Sequence, residues 1–247
     1  MELWIIATLF AATLQTVRFM LQKILSETKL TTAGATFSRF FYSAPVLWVI
    51  AIIYLLTNHR GIPEFSGLFL FFAFLGGLSQ ILATLCVVAL FRSRNFAVGI
   101  TFKKTEVVQS VMVGLVLLNE GVSMTGLGAI IIGLFGVLLL SDQTGKEKSG
   151  AHRFINRATG LGIMSGFLFA ISAVAYRGAT LGVFADEPIL RATFTLLVVV
   201  TFQMLVMTVW LFYREPGQIL KVWKARKTAL WVGLTSLGGS LGWFTAF

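Results

Sequence analysis

The sequence is short of charge. Only 12% of its 247 residues are Asp, Glu, Lys or Arg, where a soluble domain carries about 25%. Such a chain cannot cover a water-facing surface, so an ordinary soluble enzyme or adaptor is excluded. Cysteine occurs once, at Cys86, which leaves no internal disulfide and no cysteine-cluster metal site. The two histidines, His59 and His152, fall in polar connectors, so no imidazole pair lies within an apolar segment to hold a metal. A Walker-type phosphate loop, a Gly-x-Ser-x-Gly elbow and an acidic dyad inside an apolar run are missing as well. Direct use of ATP, an enzymatic activity, a cofactor and a metal are therefore not expected.

Apolar residues, in contrast, make up 57% of the chain, with 23 Phe and 24 Gly. Glycine at this level is tolerated in transmembrane helices far better than in soluble ones. A bilayer core needs about 20 apolar residues per helix. Stretches that qualify are Leu3–Gln22, Ala33–Thr57, Gly67–Phe91, Phe96–Leu118, Met124–Leu140, Thr159–Leu181, Pro188–Tyr213 and Thr228–Phe247. The first has no basic region before it and is too long for a signal-peptide core, so a cleavable signal is not expected. Most connectors are short and rich in turn residues. Ser141–Ala158 and Arg214–Lys227 are longer and polar.

The net charge of +10 would suggest nucleic acid in a soluble protein. Here the cations lie between apolar runs, so the bilayer is the expected partner and nucleic acid is not. Connectors one, three, five and seven hold Lys23 and Lys29; Arg92 and Arg94; Lys146, Lys148, Arg153 and Arg157; and Arg214, Lys221, Lys224, Arg226 and Lys227. The even connectors hold only Arg60, and the sixth carries Asp186-Glu187. The positive-inside rule then puts the odd connectors, including loop 141–158, in the cytoplasm and the N-terminus outside. The expected location is the inner or plasma membrane.

Weak internal similarity follows the same plan. Leu75-Gly76-Gly77 reads like Leu237-Gly238-Gly239, Arg39 like Arg191, and Lys23 like Arg177. Helices six to eight thus repeat helices one to three. Five helices separate the copies, an odd number, so the second enters the membrane from the opposite side. The inverted charge of corresponding connectors agrees. This is the pattern of inverted-topology transporters. The expected fold is all-α: a polytopic membrane helix bundle, an inverted repeat of five-helix units. Residues 1–141 form the first repeat, 142–158 a cytoplasmic linker and 159–247 an incomplete second repeat. Counterparts of Cys86 through Leu140 would lie beyond Phe247, so a fragment of a ten-helix protein is expected.

The segment Phe102-Lys103-Lys104-Thr105-Glu106-Val107-Val108, then Leu117-Leu118-Asn119-Glu120-Gly121-Val122-Ser123, then Gly126, Gly128, Gly133 and Gly136 carries a resemblance. It is similar to the EamA-type branch of the drug/metabolite transporter superfamily, as is Arg39, followed by Phe40, near the start of the second helix. The sequence departs from that pattern at Glu106, where many relatives have proline, and at Asn119, where glycine is usual. The resemblance covers one and a half copies of a five-helix unit. It implies a ten-helix bundle with a central cavity that moves metabolites.

Charged side chains at membrane depth each cost about 2.5–3.5 kcal/mol on insertion scales, so each needs a partner, a wet cavity or a route to the interface. Lys103 and Glu106 lie three apart on one helix face that continues through Gly99, Val107, Ser110 and Gly114. Lys103 is the candidate for binding an anionic substrate group. Glu106 could couple that binding to protons, because burial favours the neutral carboxyl and a nearby ammonium the charged one. The competing reading is that the pair neutralises itself and holds the helix in place. Arg18 with Gln15, and Gln80 and Ser79 with Trp243 and Ser240, are further cavity candidates. Arg39 and Arg191 are expected to be structural anchors, Lys104 and Arg177 interfacial, and Glu120 a cap for the fifth helix. The function these residues suggest is secondary active transport of a small metabolite, amino-acid-like, an organic anion or drug-like. A non-transporting membrane sensor or scaffold is the alternative. A monomer is expected for the ten-helix form.

Overall fold

The structure, a computed structural model, describes residues 3–58, 62–93, 96–142 and 157–246. His59, Arg60, Arg94, Lys146, Lys148, His152, Arg153 and Phe247, with most of the expected linker, lie outside them. The elements are α1 (Leu3–Thr28), α2 (Thr32–Asn58), β1 (Glu64–Phe65), α3 (Phe69–Phe91), α4 (Phe96–Lys103), α5 (Glu106–Leu118), α6 (Met124–Asp142), α7 (Arg157–Leu181), β2 (Val183–Phe184), α8 (Pro188–Arg214), α9 (Gln218–Lys224) and α10 (Arg226–Ala246). Among the described residues α1, α2, α3, α7 and α8 are long and apolar enough to cross a membrane, compatible with a multi-pass membrane protein. α10 is less apolar because Gly233, Gly238, Gly239 and Gly242, with Ser236 and Ser240, dilute its leucines.

One expected helix is corrected. The apolar run Phe96–Leu118 is not continuous: α4 ends at Lys103 and α5 begins at Glu106. Between them the Lys104 N–H donates to Thr101 O at 3.0 Å and the Thr105 N–H to Phe102 O at 3.2 Å. These are i→i−3 bonds, the tighter 3₁₀ spacing. Thr105 Oγ1 donates to the same Phe102 carbonyl at 2.7 Å, the local competition by which Thr interrupts a helix. Neither fragment alone has the length of a membrane span.

The chain forms two compact units, one of residues 1–77 with 175–247 and one of residues 78–174. These cut across the boundaries expected from the repeat, since each expected half contributes to both. The first unit contains α1, α2, β1, β2, α8, α9, α10 and the adjoining turns of α3 and α7. Its core joins Leu47, Phe69, Tyr176, Leu196, Val199 and Phe244. α10 packs against α1, α2 and α8. Glycines permit this approach: a Cβ at Gly242 would lie 2.9 Å from Ala7 O, and one at Gly233 would lie 2.4 Å from Tyr42 Cβ.

Both ends of this unit are tied. At one end Thr31 Oγ1 accepts the Gly34 N–H at 3.0 Å, capping α2, and donates to Glu215 at 2.5 Å. At the other, β1 pairs antiparallel with β2, Glu64 opposite Phe184 and Phe65 opposite Val183. The connector after α2 is thereby fastened to the one before α8.

α2 and α8 also match in detail. With Arg39 aligned to Arg191, Ser43 Oγ donates to Arg39 O at 2.6 Å and Thr195 Oγ1 donates to Arg191 O at 2.8 Å. Ala44 and Leu47 fall on Leu196 and Val199, all four buried in one cluster. Trp48 Nε1 donates to Thr201 Oγ1 at 3.0 Å, one position from its own counterpart. Likewise a Cβ on Gly76 would meet the Tyr176 ring of α7 at 2.6 Å, and one on Gly238 would meet Leu14 of α1 at 2.6 Å.

In the second unit α7 presents Ala158, Gly162, Gly166 and Ala170, all buried, at every fourth position. A Cβ at Gly162 would lie 2.2 Å from Gly99 O. This small-residue spacing brings the α4 and α7 backbones into contact.

Gly233→Ala is expected to cost about 1–3 kcal/mol, the usual range for overpacking, because its Cβ meets Tyr42 backbone carbon at 3.0 Å as well as the side chain. The measurement is unfolding temperature in neutral detergent. Gly160→Ala, with nothing within 4 Å of its Cβ, should leave that temperature unchanged.

Candidate functional site

Two groups of polar side chains stand out, one in each unit. In the first unit they centre on Arg39 of α2, which is only 3% exposed. Its Nε donates to Ser236 Oγ at 2.6 Å and a terminal nitrogen to Ser240 Oγ at 3.3 Å. Arg39 therefore lies inside the bundle, tying α2 to α10. Ser236 and Ser240 are one turn apart on α10, so both hydroxyls face the same guanidinium. The Phe40 ring lies 5.2 Å from it.

Arg18 of α1 is equally buried, at 3%. Its guanidinium carbon lies 4.3 Å from the Phe19 ring centroid, and its Nε is buried without a hydrogen-bond partner. Gln15, one turn earlier, accepts the Trp243 Nε1–H at 2.8 Å and so pins α1 to α10 beside Arg18. Arg18, Gln15, Arg39 and Trp243 thus come together. Tyr176 belongs to the same unit. Its ring stacks on Phe244 with centroids 4.7 Å apart, and its hydroxyl accepts from Gln203 Nε2 at 3.1 Å.

In the second unit Lys103 Nζ meets Glu106 Oε2 at 2.5 Å, with side chains 11% and 27% exposed. The break between α4 and α5 explains the pair. Lys103 occupies the last turn of α4, where carbonyls leave a negative end, and Glu106 the first turn of α5, where amides leave a positive one. Each charge suits its own helix end and then its partner. Phe169 of α7 faces the ammonium at 4.6 Å, within the range of a cation–π contact. Ser110 Oγ donates to Glu106 O at 2.8 Å, so its proton is committed to the backbone. Gln109 Oε1 is buried without a hydrogen-bond partner.

The remaining sequence candidates are dispersed. Gln80 is half-buried in α3, its carbonyl accepting Thr84 Oγ1 at 2.8 Å. Ser79 is buried one residue earlier. Arg191 is half-buried with its Nε lacking a hydrogen-bond partner. Lys104 is exposed in the break. Glu120 is exposed in the turn before α6, where Ser123 Oγ accepts the Gly126 N–H at 3.1 Å and makes the cap bond. Ser236, Tyr176, Gln203 and Phe169 were not anticipated. Only Ser236 carried a signal, its i,i+4 spacing from Ser240. Among the described residues no cluster of His, Cys, Asp and Glu could hold a metal ion.

Compared with known proteins, the chain matches no family model, no curated protein and no solved structure.

The Lys103–Glu106 bond should appear in a double-mutant cycle. Lys103→Met or Glu106→Gln alone is expected to cost about 1–3 kcal/mol, and the double variant less than their sum. Reversible unfolding in mixed micelles gives the three values. Additivity within about 0.5 kcal/mol would show that the two charges do not act together.

Proposed function

We propose that the chain works as a secondary active transporter of a small metabolite, with two inverted repeats that alternate access to a central site. The carrying observation is the meeting of α2 and α8. Side chains at or next to equivalent positions of two copies meet beside the axis that relates those copies, and Trp48 on Thr201, one position from its counterpart, is such a contact. The matched hydroxyl bonds to Arg39 O and Arg191 O, and the matched glycine contacts at Gly76 and Gly238, support the same relation. Transporters with inverted repeats build their sites near the bilayer midplane from interrupted helices. The break at Lys104-Thr105, flanked by Lys103 and Glu106, supports that role for α4 and α5.

Within this reading the chain resembles the EamA-type branch of the drug/metabolite transporters. The solute is amino-acid-like, an organic anion or drug-like. The membrane is the cell membrane, with the basic connectors in the cytoplasm. Glu106 is the group through which protons couple to transport, because a part-buried carboxylate whose ion pair with Lys103 is disturbed during the transport cycle can take up a proton. No enzymatic step is involved.

The test is uptake by proteoliposomes against a panel of amino acids, organic acids and drug-like cations, with and without a pH gradient. Solute movement is expected, and Glu106→Gln should lose its dependence on the gradient. A variant with the parental rate and pH profile would remove the coupling role. Failure to move any member of the panel would overturn the transport reading.

A further inference from the structure

Arg18 is the buried group that the transport reading leaves without a task. It has no carboxylate on the helices around it: across α1, α2 and α10 the one acidic residue is Glu27, which pairs with Lys23 at 3.9 Å near the end of α1. Reaching water by extending along the helix, as arginines near interfaces do, is ruled out by its 3% exposure. A second guanidinium, Arg39, is bonded to Ser236 and Ser240 on the stretch of α10 that also meets Gln15, one turn from Arg18. Arg18 is therefore a costly buried charge with a donor to spare, beside a second cation, and a charge-neutralising group would relieve it.

The surroundings hold this arrangement in place. Ser236 and Ser240 fix the Arg39 guanidinium from α10. The Gln15–Trp243 bond fixes α1 to α10 one turn from Arg18. A Cβ on Gly242 would sit 3.0 Å from Ala11 Cβ, so α1 and α10 are in backbone-close contact along this stretch. The two guanidiniums are thus presented by a packed scaffold, and pre-positioning of this kind lowers the cost of binding. A guanidinium offers a planar fork of N–H donors that matches the two oxygens of a carboxylate or phosphate. Arg18 Nε, buried and without a hydrogen-bond partner, is such a donor still available.

We infer that Arg18 and Arg39, with Ser236 and Ser240 as supports, bind the oxyanion group of a small soluble molecule, a carboxylate or a phosphate. As the identification of a transported solute this rests on the transport reading; as a binding site it can be tested without it. It also separates two tasks: the arginines of the first unit hold the anionic group, and Lys103 serves Glu106.

The experiment uses the full chain purified in neutral detergent. Its unfolding temperature is followed while sodium succinate or sodium phosphate replaces sodium chloride at constant ionic strength. Saturable stabilisation by at least one of the two is expected. Arg18→Gln should weaken it about tenfold or more, and Arg18→Lys by less, because an ammonium keeps the charge and loses the fork. Without anion, Arg18→Gln should be at least as heat-stable as the parent, since it sheds a lone buried charge. Should that variant fail to fold, Ser240→Ala provides a second reading, with an expected loss of about threefold to tenfold in apparent affinity.

The site is overturned if neither anion stabilises beyond chloride, if Arg18→Gln binds as tightly as the parent, or if Lys103→Gln rather than Arg18→Gln abolishes binding. Stabilisation by phosphatidylglycerol alone, with no response to soluble anions, overturns it too. Anion binding that depends on Arg18 in a protein that moves no solute would leave the site standing and remove the transport reading. Uptake of a solute at the parental rate and affinity by Arg18→Gln would do the reverse.

Discussion

A cation held among apolar helices has to find its acceptor inside the protein, and the bond from Arg39 to Ser236 and Ser240 is the form that constraint takes here. Lipid supplies no hydrogen bonds, so a guanidinium at depth commits the helices around it to particular positions. α10 must lie against α2 at the height of Arg39, and it can do so because Gly233 lets Tyr42 approach. α1 must lie against α10, and Gly239 and Gly242 supply the room. The first unit is therefore assembled from both ends of the chain around one polar contact. The strand pair β1–β2 and the Thr31–Glu215 bond secure its two ends.

The second unit meets the same requirement by another route. Lys103 is answered by a carboxylate three residues away, across a break that gives each of the two charges a helix end of opposite sign. The result is locally neutral and short-range. In the first unit Arg39 bonds two hydroxyls, while Arg18 Nε is buried without a hydrogen-bond partner. Hydroxyl acceptors satisfy hydrogen-bond geometry without cancelling charge, and this is the ground for proposing an anion site there and none in the second unit.

The sequence revealed most of the helices, because runs of about 20 apolar residues have few other uses. It also set Lys103 beside Glu106, but on one continuous helix face, whereas the two end α4 and begin α5 and meet across the break. What it concealed was long-range. Arg39 reads as a surface anchor from its place near the start of α2, and only the approach of α10, 197 residues away, turns that place into an interior. The break at Lys104-Thr105 escaped because apolar character continues across it, while the backbone is diverted by a hydroxyl bond to Phe102 O that composition does not register. The spacing of Ala158, Gly162, Gly166 and Ala170 was legible as a close-packing stripe, although nothing in it names Gly99 as the partner. The cap on α6 followed the usual preference for Ser over a carboxylate located farther from the helix start.

The separation of Arg39 from its acceptors has a consequence for biogenesis. Ribosomes add about 5–20 residues per second, so α2 is complete on the order of ten seconds or more before Ser236 and Ser240 exist. During that interval its arginine must be sheltered by the insertion machinery, by water at the bilayer margin or by a lipid phosphate. The strand Glu64–Phe65 also waits, with its edge open, until Val183 and Phe184 emerge. Chains interrupted before α10 is made should therefore be conspicuous to membrane quality control, since they expose a charged helix whose acceptors are built 197 residues later.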